Sequence, residues 1–152
     1  MRAVVQRVSR ASVVVGGVEA GAIERGLVVF LGVGREDTEA DLDWLLEKLF
    51  KARIFEDSEG RMNLDLQAVD GGVLLISQFT LFGSMKKGTR PSFNRAGEPA
   101  AAEALYETAA ERLRERLGAE RVGTGRFGQH MDIAVQNDGP VTLIFDSQAR
   151  DF

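Results

Sequence analysis

The 152-residue sequence contains no cysteine and a single histidine, His130. The absence of cysteine excludes disulfide bonds, thiol nucleophiles and cysteine-liganded metal sites, and it fits a reducing compartment such as the cytoplasm. A zinc site would need three carboxylates beside the one histidine. We therefore expect a cytoplasmic protein without a bound metal.

Long apolar runs and excess positive charge are also missing. No stretch approaches the roughly 18 consecutive apolar residues of a membrane helix, and MRAVVQRVSR at the N-terminus lacks the apolar core of a signal peptide. GVGRED at residues 32–37 has the wrong spacing for a phosphate-binding loop, and no other cofactor motif occurs. We expect no membrane partner and no cofactor. With a net charge of −4, RNA contact would depend on a local patch, for which KKGTR at residues 86–90 is the candidate.

Apolar patterning predicts strands at both ends of the chain and in its middle. The predicted strands cover residues 2–8, a hairpin around Gly16-Gly17, and residues 26–34, 72–82, 131–136 and 141–146. The run at 26–34 is continuously apolar and bounded by glycines, which indicates a strand buried on both faces.

Two other segments have helical periodicity. Leucines and Phe50 recur at helical spacing after a capping Asp37 or Thr38. Residues 98–118 have proline near the first turn, are rich in alanine and end at Gly118. No linker or repeat divides the chain. We predict an α/β fold: one compact domain over residues 1–152, with mixed β-sheets covered by two main helices in β/β/α layers.

Side chains alone predict little chemistry. A triad of Ser77, His130 and Asp132 can be assembled on paper, but a triad is defined by geometry and nothing in the spacing favours it. Within LLISQFTLF, polar residues interrupt an apolar strand, and simple alternation between two faces explains them. Buried polar groups nevertheless need partners, so a strand end of this kind could also hold a ligand.

The pair Gly139-Pro140 separates the last two predicted strands. Proline cannot donate a ladder hydrogen bond and glycine weakens a strand, so neither is expected inside a sheet. Because Asn137 and Asp138 are ordinary turn residues, the simplest interpretation of this segment is a turn.

Two of these segments resemble the signature motifs of the D-aminoacyl-tRNA deacylase family. The motifs are SQFTLF at residues 77–82 and NDGPVT at residues 137–142. MRAVVQRVSRASV at the start and KGTRPSF at residues 87–93 are also similar to that family, so the resemblance covers essentially the whole chain. It implies hydrolysis of the ester between a D-amino acid and the terminal adenosine of tRNA by a homodimer.

The resemblance implies that chirality is read by Gly139 and Pro140. In this family the Gly-Pro peptide bond is cis, and the pair reaches from one subunit into the active site of the other. The two carbonyls would exclude an L side chain, whereas glycine has none to exclude, so glycyl-tRNA is an expected second substrate. Asn137 belongs to the same motif, and Arg7 on the first strand is expected to hold the loop by bonding its carbonyls.

The resemblance also implies catalysis by backbone groups and the 2′-hydroxyl of the terminal ribose. We expect the N–H groups of Phe79 and Thr80 to polarise the ester carbonyl. Gln78 would orient substrate or water, and Ser77 would help to hold the adenosine. Thr80 as a side-chain nucleophile is the alternative, but no neighbouring base is visible to activate it.

The basic segment and the missing catalytic side chains leave other interpretations open. Lys86, Lys87 and Arg90 are expected to contact tRNA phosphates. A tRNA-end or nucleotide-binding module without catalysis would also lack catalytic side chains, and incubation with D-aminoacyl-tRNA separates it from an enzyme. A structural, homo-oligomerising domain is the third possibility, and it leaves the basic segment unexplained.

Overall fold

In the computed structural model, which describes residues 1–150, the chain begins with the predicted hairpin. Strands β1 (Arg2–Val15) and β2 (Val18–Ile23) are antiparallel and meet at Gly16-Gly17. The φ angles of these glycines are 58° and 82°. A two-residue loop with positive φ at both positions matches the twist of the strands it joins, which explains why glycine occupies both positions.

A mixed sheet forms around β1. Further strands along the chain are β3 (Gly26–Gly32), β4 (Phe55–Glu56), β5 (Met62–Leu64), β6 (Gly72–Ser77), β7 (Val122–Thr124) and β8 (Asp132–Asp146). The main sheet has the order β2-β1-β3-β6-β7, and β8 pairs with the other edge of β1. β3, β6 and β7 are parallel to one another, whereas β1 is antiparallel to its neighbours. A Cβ on Gly21 of β2 would lie 2.8 Å from the backbone nitrogen of Thr124, so β2 and β7 nearly close the sheet into a barrel.

The two predicted helices are confirmed. Helix α1 (Glu39–Lys51) begins after Thr38, whose backbone N–H donates to Asp41 Oδ2 at 2.9 Å. Helix α2 (Pro99–Leu117) has proline in its first turn and ends at Gly118, which has a φ of 93°. Arg112 of α2 pairs with Glu39 and Asp43 of α1, so the helices are also joined at the surface.

Apolar side chains fill both faces of the sheet. The larger cluster packs the helices against one face, and β3 is almost wholly buried, as predicted. A smaller cluster occupies the barrel interior, with residues from β1, β2, β3 and β6. The predicted α/β class with β/β/α layers is therefore confirmed.

The observed structure differs from the predicted strands at two places. The predicted strand over residues 72–82 ends at Ser77 and is followed by a 3₁₀ helix over Phe79–Phe82. Its partner β3 ends at Gly32, so no ladder continues beyond that point. The predicted strands at 131–136 and 141–146 are one strand, β8, and Gly139-Pro140 lies within it rather than in a turn between two hairpin strands.

Candidate active site

The end of β6 carries the first cluster of predicted site residues. The backbone N–H of Gln78 makes the last sheet contact, donating to the carbonyl of Leu31 at 2.8 Å. The chain then tightens into the 3₁₀ helix, which turns Phe79 and Thr80 outward. Phe79 is 58% exposed, and its ring packs edge-on against Phe93 at a centroid distance of 5.0 Å. Alternation along a strand, which would have buried these side chains, is therefore wrong beyond Ser77.

Two backbone donors are unused at this turn. The first N–H groups of a helix have no acceptor within it. Within residues 1–150, the N–H groups of Phe79 and Thr80 donate no hydrogen bond. The side-chain amide of Gln78 donates to Thr80 Oγ1, which leaves the Thr80 hydroxyl proton free for another acceptor.

Arg2 contacts the 3₁₀ helix, Phe79–Phe82, and links it to neighbouring strands. Its guanidinium donates to the carbonyl of Leu81 at 3.0 Å and to Asp146 Oδ2 at 2.8 Å. The same group lies 4.9 Å from the centroid of the Phe82 ring. The 3₁₀ helix is thus fastened to the start of β1 and the end of β8. Burial opposes ionisation of Asp146, but hydrogen bonds from the backbone of Gln148 and from Arg2 outweigh it and lower the pKa of Asp146.

A largely apolar pocket opens beside the turn. Its volume is about 300 Å³, and its lining residues come from β3, the turn, the start of α2 and the segment after β7. Ser77, Gln78 and Phe79 form one side, and the rings of Tyr106 and Phe127 form another. The centroids of the two rings lie 5.9 Å apart. Sequence reasoning missed both aromatic residues, because a tyrosine on a helix and a phenylalanine in a loop give no signal of a shared pocket.

Gly139 and Pro140 form the second cluster, on a bulge of β8. Asn137 is opposite Val8 and Thr142 is opposite Gln6, so residues 138–141 bulge out beside Arg7 alone. Both Gly139 and Pro140 are exposed, and the peptide bond between them is cis. A Cβ on Gly139 would lie 2.2 Å from the backbone nitrogen of Val141. The bulge therefore has no room for a side chain at this glycine.

Asn137 closes the bulge. Its side-chain oxygen accepts from the N–H of Val141 at 3.0 Å, and its side-chain nitrogen donates to the carbonyl of the same residue at 3.1 Å. Val141 is itself buried. The reciprocal pair fixes the two ends of the bulge to each other and explains why an amide side chain occupies position 137.

Arg7 anchors the bulge to the body of the protein. Its side chain is only 4% exposed, with Nε donating to the carbonyl of Asp138 at 2.8 Å and Nη1 donating to the carbonyl of Ile54 at 2.6 Å. The carboxylates of Asp138 and Glu56 lie 3.3 Å and 3.7 Å from the guanidinium. Arg7 therefore ties the chain after α1 to the residue that precedes Gly139.

The two clusters are separate within one protomer. No hydrogen bond joins residues 77–80 to residues 137–141 in the described part of the chain, and the bulge does not line the apolar pocket.

The basic loop, residues 83–97, adjoins the turn. A pair of backbone hydrogen bonds between Ser84 and Ser92, of 2.8 Å and 2.9 Å, closes its base. Lys86, Lys87 and Arg90 are all exposed near its tip.

The triad that could be assembled on paper is not formed. His130 and Asp132 are both highly exposed and lie 3.5 Å apart, and within residues 1–150 neither bonds to Ser77. Over the same residues there is no group of three or more potential metal-ligating side chains. No helix in the described chain is long and apolar enough to cross a membrane.

Comparison with known proteins decides the family. The profile of the family described as D-Tyr-tRNA(Tyr) deacylase matches residues 4–146. The chain belongs to this family. The resemblance of SQFTLF and NDGPVT is thereby confirmed. A protein of Opitutus terrae named D-aminoacyl-tRNA deacylase is 54% identical over 99% of this chain and 100% of its own length. A protein of the same name from Thermotoga petrophila is 52% identical over 97% of each chain.

Two solved structures share the topology of this chain. A structure described as c-Myc DNA Unwinding Element Binding Protein superimposes with a TM-score of 0.90 at 41% identity, covering 96% of this chain and 98% of that one. A probable eukaryotic D-amino acid tRNA deacylase superimposes with a TM-score of 0.82 over 95% and 97% of the two chains. At 20% identity, the second match shows the fold alone.

Proposed function

We propose that this deacylase-family chain hydrolyses the ester of D-aminoacyl-tRNA in the cytoplasm, releasing a D-amino acid and tRNA. The observation that carries the proposal is the turn after β6, where two unused backbone N–H groups lie beside an apolar pocket. Donors that point at a developing oxyanion from a fixed backbone need no reorganisation during the reaction. They can therefore catalyse ester hydrolysis without a nucleophilic side chain.

The turn would hold the ester carbonyl. Water adds to the carbonyl carbon, and the negative oxygen accepts hydrogen bonds from the N–H groups of Phe79 and Thr80. The bond to the ribose 3′-oxygen then breaks, and this oxygen takes up the proton given up by water, relayed by the neighbouring 2′-hydroxyl. Gln78 orients the Thr80 hydroxyl, so that Thr80 donates to substrate rather than attacking it.

The apolar pocket would hold the terminal adenine. Its volume of about 300 Å³ suits one purine ring system, and Tyr106 and Phe127 offer aromatic surface against which a base can pack. Ser77 also lines the pocket and would bond the ribose. The exposed Lys86, Lys87 and Arg90 of the basic loop would neutralise phosphates of the preceding nucleotides.

Gly139 and Pro140 would read chirality in the site of a second subunit. The bulge is exposed, yet three hydrogen bonds fix its backbone, one from Arg7 and two with the Asn137 side chain. A rigid pair of carbonyls beside the substrate α-carbon would tolerate hydrogen but collide with an L side chain. Selection by collision does not depend on which D side chain is present, and it leaves glycyl-tRNA as a substrate.

The geometry of β8 supports a homodimer. Within the described residues β8 pairs only with β1, so one edge of this long strand is free. The bulge lies on this strand, away from its own protomer's pocket. A symmetric dimer through this part of the surface would place each bulge in the opposite site.

Mixed dimers test the proposal. Gly139→Ala would push Val141 aside and spoil the bulge, whereas Phe79→Pro removes one oxyanion donor at the first position of a helix, where proline is tolerated. Each variant alone should be inactive. Refolding them together in equal amounts should restore about a quarter of parental activity, because half of the dimers would contain one site with two intact halves.

The controls separate the elements of the proposal. Phe79→Ala removes the ring but keeps the N–H, so it should be more active than Phe79→Pro. A mixture that forms hybrid dimers without regaining activity would refute the shared site. A parent protein that binds D-aminoacyl-tRNA and protects its ester would instead identify a binding module without catalysis.

A further inference from the structure

Tyr106 is the one tyrosine of the chain, and it is buried behind the turn. Its hydroxyl donates to the carbonyl of Leu75 at 2.9 Å and lies 3.5 Å from the carbonyl of Gly125. Burial raises the pKa of Tyr106 to about 12, with only partial opposition from Arg114 and the Gly125 backbone. The hydroxyl therefore stays protonated at neutral pH and acts as a fixed donor, not as an acid or base in catalysis.

The Leu75 carbonyl, which accepts the hydrogen bond from Tyr106, lies where the pairing between β6 and β7 ends. The ladder between β6 and β7 ends at the pair Leu75 and Thr124. The N–H of Gly125 also donates to Leu75 at 3.0 Å. Beyond Leu75, within residues 1–150, the segment that leads into the turn pairs with β3 alone, through Ile76, Ser77 and the contact from Gln78 to Leu31. The hydrogen bonds accepted by the Leu75 carbonyl are thus the last contacts that hold this segment on the β7 side.

We propose that Tyr106 is a positioning residue for deacylation: its hydroxyl fixes the exit of β6, and its ring forms the pocket wall that seats the terminal adenosine. The proposal rests on the proposed placement of the ester at residues 77–80. Through Leu75, the hydroxyl sets the direction in which the N–H groups of Phe79 and Thr80 point. The ring contributes to binding separately, because it lines the pocket itself.

The two contributions predict different kinetic effects. Tyr106→Phe keeps the ring and loses only the hydrogen bond to the Leu75 carbonyl. The value of kcat should therefore fall about tenfold while KM changes little, because small misplacements of catalytic groups lower the rate. Tyr106→Leu also loses the aromatic wall, so KM should rise as well. Leu113→Val is the matched control. It is buried on the same helix and does not line the pocket, so it should lower stability without changing kcat or KM.

Because the chain has one tyrosine, fluorotyrosine gives a single fluorine resonance that reports on position 106 alone. The probe ligand is adenosine that carries D-alanine through a 3′-amide in place of the ester. Addition of the probe should shift the fluorine resonance, and free D-alanine should not shift it. Aminophenylalanine at the same position keeps a weaker donor and should give a kcat between those of the parent and Tyr106→Phe.

The outcomes separate this inference from the proposed site. If the probe binds without shifting the fluorine resonance, the pocket does not hold the adenosine, and the placement of the ester fails together with the inference. If the resonance shifts but Tyr106→Phe keeps parental kcat, the site stands and the positioning role of Tyr106 is refuted. Should Tyr106→Phe fail to fold, a para-methylphenylalanine protein, which fills the space of the hydroxyl but donates no hydrogen bond, would refute that role equally if it kept parental kcat and KM.

Discussion

Replacement of Arg7 by methionine should loosen the bulge at residues 138–141 more than any other single change of a side chain around it. The variant loses two charge-assisted hydrogen bonds, to the carbonyls of Asp138 and Ile54, at 2.8 Å and 2.6 Å. Bonds of this kind contribute about 1.5–3 kcal/mol each. The contacts with the exposed carboxylates of Asp138 and Glu56 add little. Methionine refills part of the volume, so we expect a loss of about 3 kcal/mol in the free energy of unfolding.

The single tryptophan, Trp44, provides the stability assay through its fluorescence in urea, at fixed protein concentration so that any change in oligomeric state does not alter the apparent stability. Arg10→Met, at an exposed position on the same strand, is the matched control and should cost within about 0.5 kcal/mol. Arg7→Lys should be intermediate, because an ammonium cannot bridge both carbonyls as the guanidinium fork does. D-aminoacyl-tRNA hydrolysis should fall in the same order. Equal costs for the methionine variants at positions 7 and 10 would refute the anchoring role.

Three further changes test other contacts. Thr80→Ala should retain substantial deacylation, because the oxyanion donors are backbone groups and only the hydroxyl contact with substrate is lost; near-total loss would instead indicate an acyl-enzyme. Joint neutral substitution of Lys86, Lys87 and Arg90 should weaken tRNA binding and reduce its dependence on salt, with Lys51→Ala on α1 as a control that leaves the salt slope unchanged. Burial opposes ionisation of Asp41, but hydrogen bonds from Thr38 and Ser147 outweigh it and lower its pKa. Its stabilising contribution is therefore present above the unfolded pKa of about 3.9 and is lost as pH falls below it, and Asp41→Asn should flatten the acid side of a stability-against-pH curve.

The regular elements were predictable because local rules agree with the tertiary structure there. Gly16-Gly17 supplies the two positive φ angles of a tight hairpin, and α2 combines an N-terminal proline, alanine-rich turns and a terminal glycine. The packing of α1 likewise follows its leucine periodicity.

The site departs from these rules where partners are distant in sequence. Local reasoning assigns Gly139-Pro140 to a turn, but Arg7 supplies a hydrogen bond to the bulge and β8 continues past it. The chain leaves the strand at Gln78 because β3 ends opposite that point, which apolar patterning of residues 72–82 cannot reveal. The contact between Tyr106 and Leu75 spans 31 residues, and no local motif signals it.

The most direct test of the proposed activity is the release of tyrosine from the same tRNA(Tyr) charged in parallel with D-tyrosine and L-tyrosine. The chain should free D-tyrosine at a rate proportional to its concentration and leave the L-tyrosyl ester intact over the same period. Comparable release from both substrates would contradict selection by Gly139 and Pro140. Persistence of the D-tyrosyl ester would contradict catalysis altogether.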